Sequence, residues 1–189
     1  LGFGTYVQVE GLTQSGGVVY DVWKRTLKKV HSSSFTVHRC LILGLGGGSS
    51  AKLVRKFWPE VEITGVDIDP VMVGMGKKYL GLDKVGIEVV IKDANDFLVQ
   101  RSNIKNQNDR SKFKDAYDLV LVDLYVGYNV PEKFETENYI HLVRRLLARE
   151  GVAVFNRLYF GEKRPDAMRF LAKLEKIFGK VEVFFPQAN

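Results

Sequence analysis

From Cys40 onward the chain alternates short β-rich runs with longer segments of helical period, and this alternation limits the fold more than any other feature. The runs are CLILGL from Cys40, VEITGV from Val61, IEVVI from Ile87, YDLVLV from Tyr117, VAVFN from Val152 and VEVFF from Val181. Each is almost continuously apolar, as strands covered by helices on both faces must be. The expectation is a three-layer α/β domain with a mainly parallel sheet over residues 40–189. Between the runs, Phe134, Tyr139, Ile140, Val143, Leu146 and Leu147 fall on one stripe of a helix that ends before Gly151. A last helix from about Pro165 to Phe178 places Met168, Leu171, Leu174 and Phe178 at the same period. Residues 1–39 differ: TYVQVE reads as a strand, GLTQSGG as turn-rich, and Val19, Val22, Trp23, Leu27 and Val30 recur at helical spacing. They form a small entry element packed on the main domain. At 189 residues, 46% of them hydrophobic, one structural domain accounts for the whole.

Several function classes drop out on composition. No run of about 18 apolar residues is present to span a bilayer, and the first residues lack a charged flank before an apolar core. The expected location is the cytoplasm, away from membranes. Cys40 is the single cysteine, and no Cys/His cluster has zinc spacing, so no metal is expected. The net charge of +6 is modest and spread along the chain, with no RNA-binding module or basic helix interleaved with aromatics, which argues against nucleic acid. The polar segment RSNIKNQNDRSKFKDA, residues 101–116, reads as a surface excursion, with a substrate-side flap as the alternative.

The chemistry begins at LILGLGGGSS, residues 41–50. A glycine-rich turn between a strand and a helix lets backbone approach a ligand closely, with N–H groups at the helix start facing it. Asp67 ends the second run, Asp93 follows the third in KDAND, and Asp123 closes the fourth in LVDLY. All three lie at carboxyl ends of strands, the edge where open parallel sheets bind ligands. Asp67 is placed for both hydroxyls of a ribose and Asp93 for an adenine amino group. Singly, each carboxylate also reads as a helix N-cap or a solvated loop residue. GGGSSA at 46–51 satisfies G-x-G-x-x-A, so NAD remains an alternative nucleoside, although that reading gives Asp93 no role.

These residues resemble the class I S-adenosylmethionine (AdoMet)-dependent methyltransferases, and among them the spermidine synthase-like branch. LGGGSS, VDID, KDA and VDLYVGYNVPEKFETENY stand where that branch has its glycine motif, VEID, its GDA turn, and a strand ending in Asp followed by P-x-E and T-E-E-F-Y. The match runs from about Gln14 to Asn156, and the interval from Asp123 to Thr136 equals the family's. The resemblance implies a Rossmann-like methyltransferase fold. It also implies AdoMet, decarboxylated AdoMet or methylthioadenosine as the bound nucleoside. The implied cofactor contacts are Gly46, Gly47 and Gly48 facing the methionine part, Asp67 at the ribose, Asp93 and Ala94 at the adenine, and Gly44, Ser49 and Ile68 as further cofactor-binding residues. Gln14 resembles a glutamine that reaches the thioether end, with a plain turn residue as the alternative. Asp123 stands at the catalytic aspartate, to orient or deprotonate an acceptor or merely to shape the cofactor site. Family members often form homodimers.

Two departures bear on the reaction. Polyamine-making members carry an Asp directly after the three glycines and another three residues after the catalytic Asp, whereas this chain has Ser49 and Val126. A neutral hydroxyl cannot balance a buried ammonium. The leading expectation is therefore methyl transfer to a small-molecule acceptor, with Tyr125 and Tyr128 as candidate pocket walls. Aminopropyl transfer and a noncatalytic nucleoside-binding module are the alternatives. The scattered His31, His38 and His141 have no nucleophile beside them and read as surface residues.

Overall fold

Alternate residues of the central strand face opposite cores, which is the physical basis of the layered architecture. The computed structural model describes residues 5–9, 12–33, 35–106 and 116–186. In β3 (Arg39–Leu43), Cys40 and Ile42 point into one apolar cluster and Leu41 and Leu43 into another. The next strands, β4 (Glu62–Asp67) and β6 (Tyr117–Val122), divide in the same way: Ile63, Leu119 and Leu121 on the first face, Val66, Val120 and Val122 on the second. With β5 (Glu88–Ile91) and β7 (Leu147–Phe155) they form a five-stranded sheet in the order β5-β4-β3-β6-β7, every neighbouring pair parallel.

The first face is covered by α1 (Gly17–Ser32), α2 (Ser49–Phe57) and α3 (Pro70–Leu80), through Trp23 and Leu27, Leu53 and Val54, and Val73. The second is covered by α4 (Ala94–Asn106) and α5 (Glu137–Leu146), through Phe97 and Leu98, and Tyr139 and Val143. A sixth helix, α6 (Arg164–Ile177), packs Phe170 and Ile177 on Ile140 of α5. The expected three-layer Rossmann-like fold with a mainly parallel sheet is the one found. Among the described residues, no helix is long and apolar enough to cross a membrane.

Helix starts follow local chemistry. The Asp69 carboxylate accepts from the N–H groups of Val71 and Met72, with Pro70 at the first helical position of α3. Thr136 accepts from Tyr139 N at the start of α5. The stripe predicted around that helix is divided between three elements. Phe134 sits in a preceding 3-10 turn, Glu132–Glu135, and Leu147 already belongs to β7. Gly151 interrupts the register of β7, at a point where a Cβ would lie 2.9 Å from the Tyr117 carbonyl oxygen.

Three expectations need correction. The turn-rich GLTQSGG contributes a strand, β2 (Leu12–Gly16), which pairs antiparallel with β1 (Tyr6–Val9) in a separate two-stranded sheet. The run VEVFF is not a strand; Val183, Phe184 and Phe185 are exposed. An apolar run records only a tendency to be covered, and a strand also needs an open ladder beside it. Here Phe185 meets the ring of Tyr159, while Lys29 of α1 lies over Phe184 and pairs with Glu182. On α6, Phe170 and Ile177 are buried with Leu174 and Phe178 of the expected stripe packed against them, whereas Met168 is exposed, so the covered face is shifted from the one the spacing suggested. Of the polar segment 101–116, residues 107–115 lie outside the described residues.

Candidate functional site

The strand order reverses at β3, whose neighbours β4 and β6 lead to opposite halves of the sheet. A crevice outside the carboxyl ends forms at such a switch point. The glycine turn leaves β3 there, and Asp67 and Asp123 close the two flanking strands.

Gly44 occupies the narrowest point. Its φ is +87°, and a Cβ on it would lie 2.1 Å from the carbonyl oxygen of Asp123. The ends of β3 and β6 are thus as close as backbone permits, tied by Asp123 N donating to Leu43 O at 2.8 Å. Gly47 and Gly48 are glycines for protein packing. Side chains there would meet Leu80 and Ser15 at 2.6 and 2.8 Å, and Leu82 at 2.4 Å. The Gly46 N–H donates to Asp67 Oδ2 at 2.6 Å, while Asp67 Oδ1 accepts from Asp69 N at 2.9 Å. Each carboxylate oxygen retains a lone pair beyond these bonds. Ile68, beside it, is 66% exposed and presents an apolar surface to the same edge.

Ser49 opens α2 and is buried. Its Oγ accepts from Gly16 N at 2.7 Å and shares a hydrogen bond with Ser15 Oγ at 2.8 Å. The hairpin is clipped to the glycine turn through this hydroxyl. Gln14 lies in β2, one residue before that clip.

Asp93 is both N-cap and ion-pair partner. Its Oδ1 accepts from Asn95 N and Asp96 N, its Oδ2 from Lys133 Nζ at 2.6 Å, and Ala94 is buried behind it. Burial opposes ionisation of Asp93, but the Lys133 bond and charge with the two N–H groups outweigh it and hold the carboxyl below its ordinary value.

Asp123 is gripped on both oxygens. Trp23 Nε1 of α1 donates to Oδ2 and Asn156 Nδ2 to Oδ1, each at 2.8 Å. Burial nonetheless dominates and raises its pKa; those two donors and the Arg157 charge pull the other way, and the charge on Asp67 adds to the rise. Beyond it, the Tyr125 hydroxyl accepts from Leu158 N at 2.8 Å, and burial pushes its pKa up to about 12. Tyr125 and Tyr128 do line a cleft, together with Arg157, Glu135 and Lys163. Of the described residues, none gather into a cluster of three or more His, Cys, Asp or Glu side chains suited to a metal.

Asp67, Asp93, Asp123 and the glycine turn therefore converge on one edge of the sheet. Trp23, Lys133, Asn156 and Arg157 also lie there; Lys133 falls within the motif that follows Asp123, but no motif assigns any of the four a role at the site. Only the KFE stretch near Lys133 and the end of the run VAVFN hinted at position, since both lead off carboxyl ends of the same sheet.

Residues 21–186 match the family model described as the spermine/spermidine synthase domain. The chain belongs to this family. Among curated relatives, a polyamine aminopropyltransferase of Chromobacterium violaceum is 27% identical over 79% of this chain and 52% of its own length. Polyamine aminopropyltransferase 1 of Hyperthermus butylicus is 28% identical over 100% of this chain and 62% of its own. An eEF1A lysine and N-terminal methyltransferase homolog of Drosophila melanogaster is 29% identical over 71% of this chain and 20% of its own. The chain thus spans between about a fifth and about three fifths of the lengths of these curated relatives. Two solved structures share the fold. Spermidine synthase from Thermotoga maritima has a TM-score of 0.71 at 19% identity, covering 94% of this chain and 58% of that one. Human Methyltransferase-like protein 13 in complex with SAH has 0.68 at 21%, covering 91% and 76%.

Proposed function

We propose that this chain is the nucleoside-binding part of an AdoMet-using transferase and that the group it transfers is methyl, to a small-molecule acceptor. The observation that carries the choice is Ser49. At the position where aminopropyl transfer calls for a carboxylate to balance an ammonium, this chain has a hydroxyl already bonded to Ser15 and Gly16. AdoMet, which carries a carboxylate as well as an amine, needs no such partner there.

In this reading Asp67 holds the ribose hydroxyls with its remaining lone pairs, Ile68 lies against the nucleoside, and Asp93 with Ala94 borders the adenine. Gly44 and Gly46 keep the turn close to the ligand. Gly47, Gly48 and Ser49 border the methionine part and also let Leu80, Leu82 and the hairpin pack beneath that turn, and Gln14 of β2 is the candidate for the thioether end. When bound, AdoMet supplies a sulfonium-activated methyl group, so alignment of the acceptor provides most of the acceleration. Asp123 orients the acceptor or takes its proton. A carboxylate with a raised pKa is the better base.

Titration calorimetry with AdoMet, its demethylated product, methylthioadenosine and NAD tests the proposal. Heat is expected with the sulfur nucleosides and none with NAD; silence from all three sulfur compounds overturns it. A second reading, aminopropyl transfer, is favoured by the names of most relatives. It requires turnover of decarboxylated AdoMet with putrescine.

The Asp123 environment makes a separate prediction. In Trp23→Phe one donor to the carboxylate is gone while the core ring remains, so the Asp123 pKa is expected to move further above its ordinary value of 3.8. A raised carboxyl pKa means that the folded chain binds more protons than the unfolded one between the two values. Asp123 therefore costs nothing below the ordinary value, and its burial destabilises the fold progressively as pH rises through the folded one. NMR titration of the Asp123 carboxyl carbon reads both forms, and an unchanged midpoint in Trp23→Phe removes the indole from this role.

A further inference from the structure

The cleft beyond Asp123 is lined by two cations and two carboxylates; Arg157 is paired with Glu135 and bonded to Tyr125, and among the described residues Lys163 is the lining cation without a carboxylate beside it. Asp166 is paired with Arg169, three residues along the same helix. Glu135 faces Arg157 at 3.7 Å. Both acids thus have a cation. On the other side, Lys163 Nζ reaches the neutral Asn129 Oδ1 at 2.5 Å and, among the described residues, has no carboxylate within ion-pair distance. The Arg157 side chain is 15% exposed, with its guanidinium 3.7 Å over the Phe170 ring, and its Nε–H is buried without a hydrogen-bond partner.

Buried donors left open are rare in folded proteins and call for an acceptor. A guanidinium presents its N–H groups as a planar fork that matches a carboxylate. A diamine entering the same cleft would set an ammonium against Arg157 and Lys163, with both carboxylates already engaged. Val126, three residues after Asp123 and 72% exposed, offers no charge of its own.

We propose that this cleft binds a carboxylate carried by the acceptor, with Arg157 and Lys163 as the specificity-determining residues that hold it beside Asp123. The proposal deepens the transferase reading above and rests on it for the word acceptor, but the anion site is testable by itself.

The experiment is a 1H–15N NMR titration with succinate and, separately, putrescine, each with and without S-adenosylhomocysteine. The Arg157 Nε–H and the Leu158 amide, whose N–H meets Tyr125, are the reporters. Succinate is expected to shift both to saturation. Lys163→Gln should weaken its affinity about tenfold and Arg157→Gln at least as much, the loss of a charge-assisted contact. Arg157 also packs on Phe170, so Lys163→Gln, at the rim, supplies the decisive comparison if Arg157→Gln does not fold. Putrescine should produce no saturable shift. The proposal fails if succinate leaves both reporters unmoved, if Lys163→Gln binds it as tightly as the parent, or if putrescine saturates the same signals. Succinate binding without the nucleoside would stand even if no sulfur nucleoside bound. Nucleoside binding without a succinate response would sink this inference alone.

Discussion

Gly44→Ala is expected to lower the melting temperature by about 4–20 °C, the effect in a chain of this size of losing about 2–5 kcal/mol. Two costs combine. A residue with a Cβ held in the left-handed region loses about 1–2 kcal/mol, and overpacking a tight contact adds about 1–3 kcal/mol. Both apply, because φ is +87° and the Cβ would fall 2.1 Å from the Asp123 carbonyl oxygen. Neither neighbour can yield cheaply. Moving Asp123 would break its N–H bond to Leu43 and disturb the carboxylate that Trp23 and Asn156 hold. Gly74→Ala in α3 is the matched control: nothing lies within 4 Å of its Cβ position, so a gain of about 0.5–1 kcal/mol in helix propensity is expected instead. Thermal denaturation of the two variants beside the parent checks the pair. Equal melting temperatures for Gly44→Ala and the parent would show that the strand ends are not in forced contact.

Asp67→Ala is expected to weaken binding of S-adenosylhomocysteine at least about 100-fold, because two hydrogen bonds from ribose hydroxyls to a charged acceptor contribute about 1.5–3 kcal/mol each. The substitution has a second, structural effect. It leaves the Gly46 N–H and the Asp69 N–H without their acceptor, a cost of about 1–3 kcal/mol that shifts the melting temperature by about 2–12 °C. Calorimetric affinity and thermal stability therefore have to be measured on the same protein. Asp67→Asn separates the two. Its amide oxygen still accepts from Gly46 while its NH2 faces the Asp69 N–H, so part of the stability returns, and it can no longer accept from both hydroxyls, so affinity stays at least about tenfold below the parent. An Asp67→Ala protein that binds within about threefold of the parent would remove Asp67 from the ribose.

Asp67 and Asp93 differ in how much of their surroundings the sequence makes visible. The position of Asp67 at the sheet edge could be read because it follows a continuous apolar run, whereas its bonds to the Gly46 and Asp69 N–H groups could not. Asp93 shows the limit of that logic. It is at the predicted edge, yet it also caps α4 and pairs with Lys133, 40 positions away. Both readings of a carboxylate, ligand contact and helix cap, were available in the sequence, and the structure places the cap.

The alternation of apolar runs and helical periods by itself determined the layered fold, the parallel sheet and the edge on which the three aspartates gather, because each of these follows from local periodicity and chain order. Tertiary structure alone decided what those aspartates touch. The bond from Trp23 to Asp123 joins residues 100 apart, and that between Ser15 and Ser49 joins residues 34 apart across two elements of unrelated period. VEVFF carries as strong an apolar signal as any strand, yet it lies along Lys29 and Tyr159 instead of in the sheet. Periodicity specifies which face of an element is covered. Which side chain meets which depends on helix rotation and strand register, and these are settled only when the whole core packs.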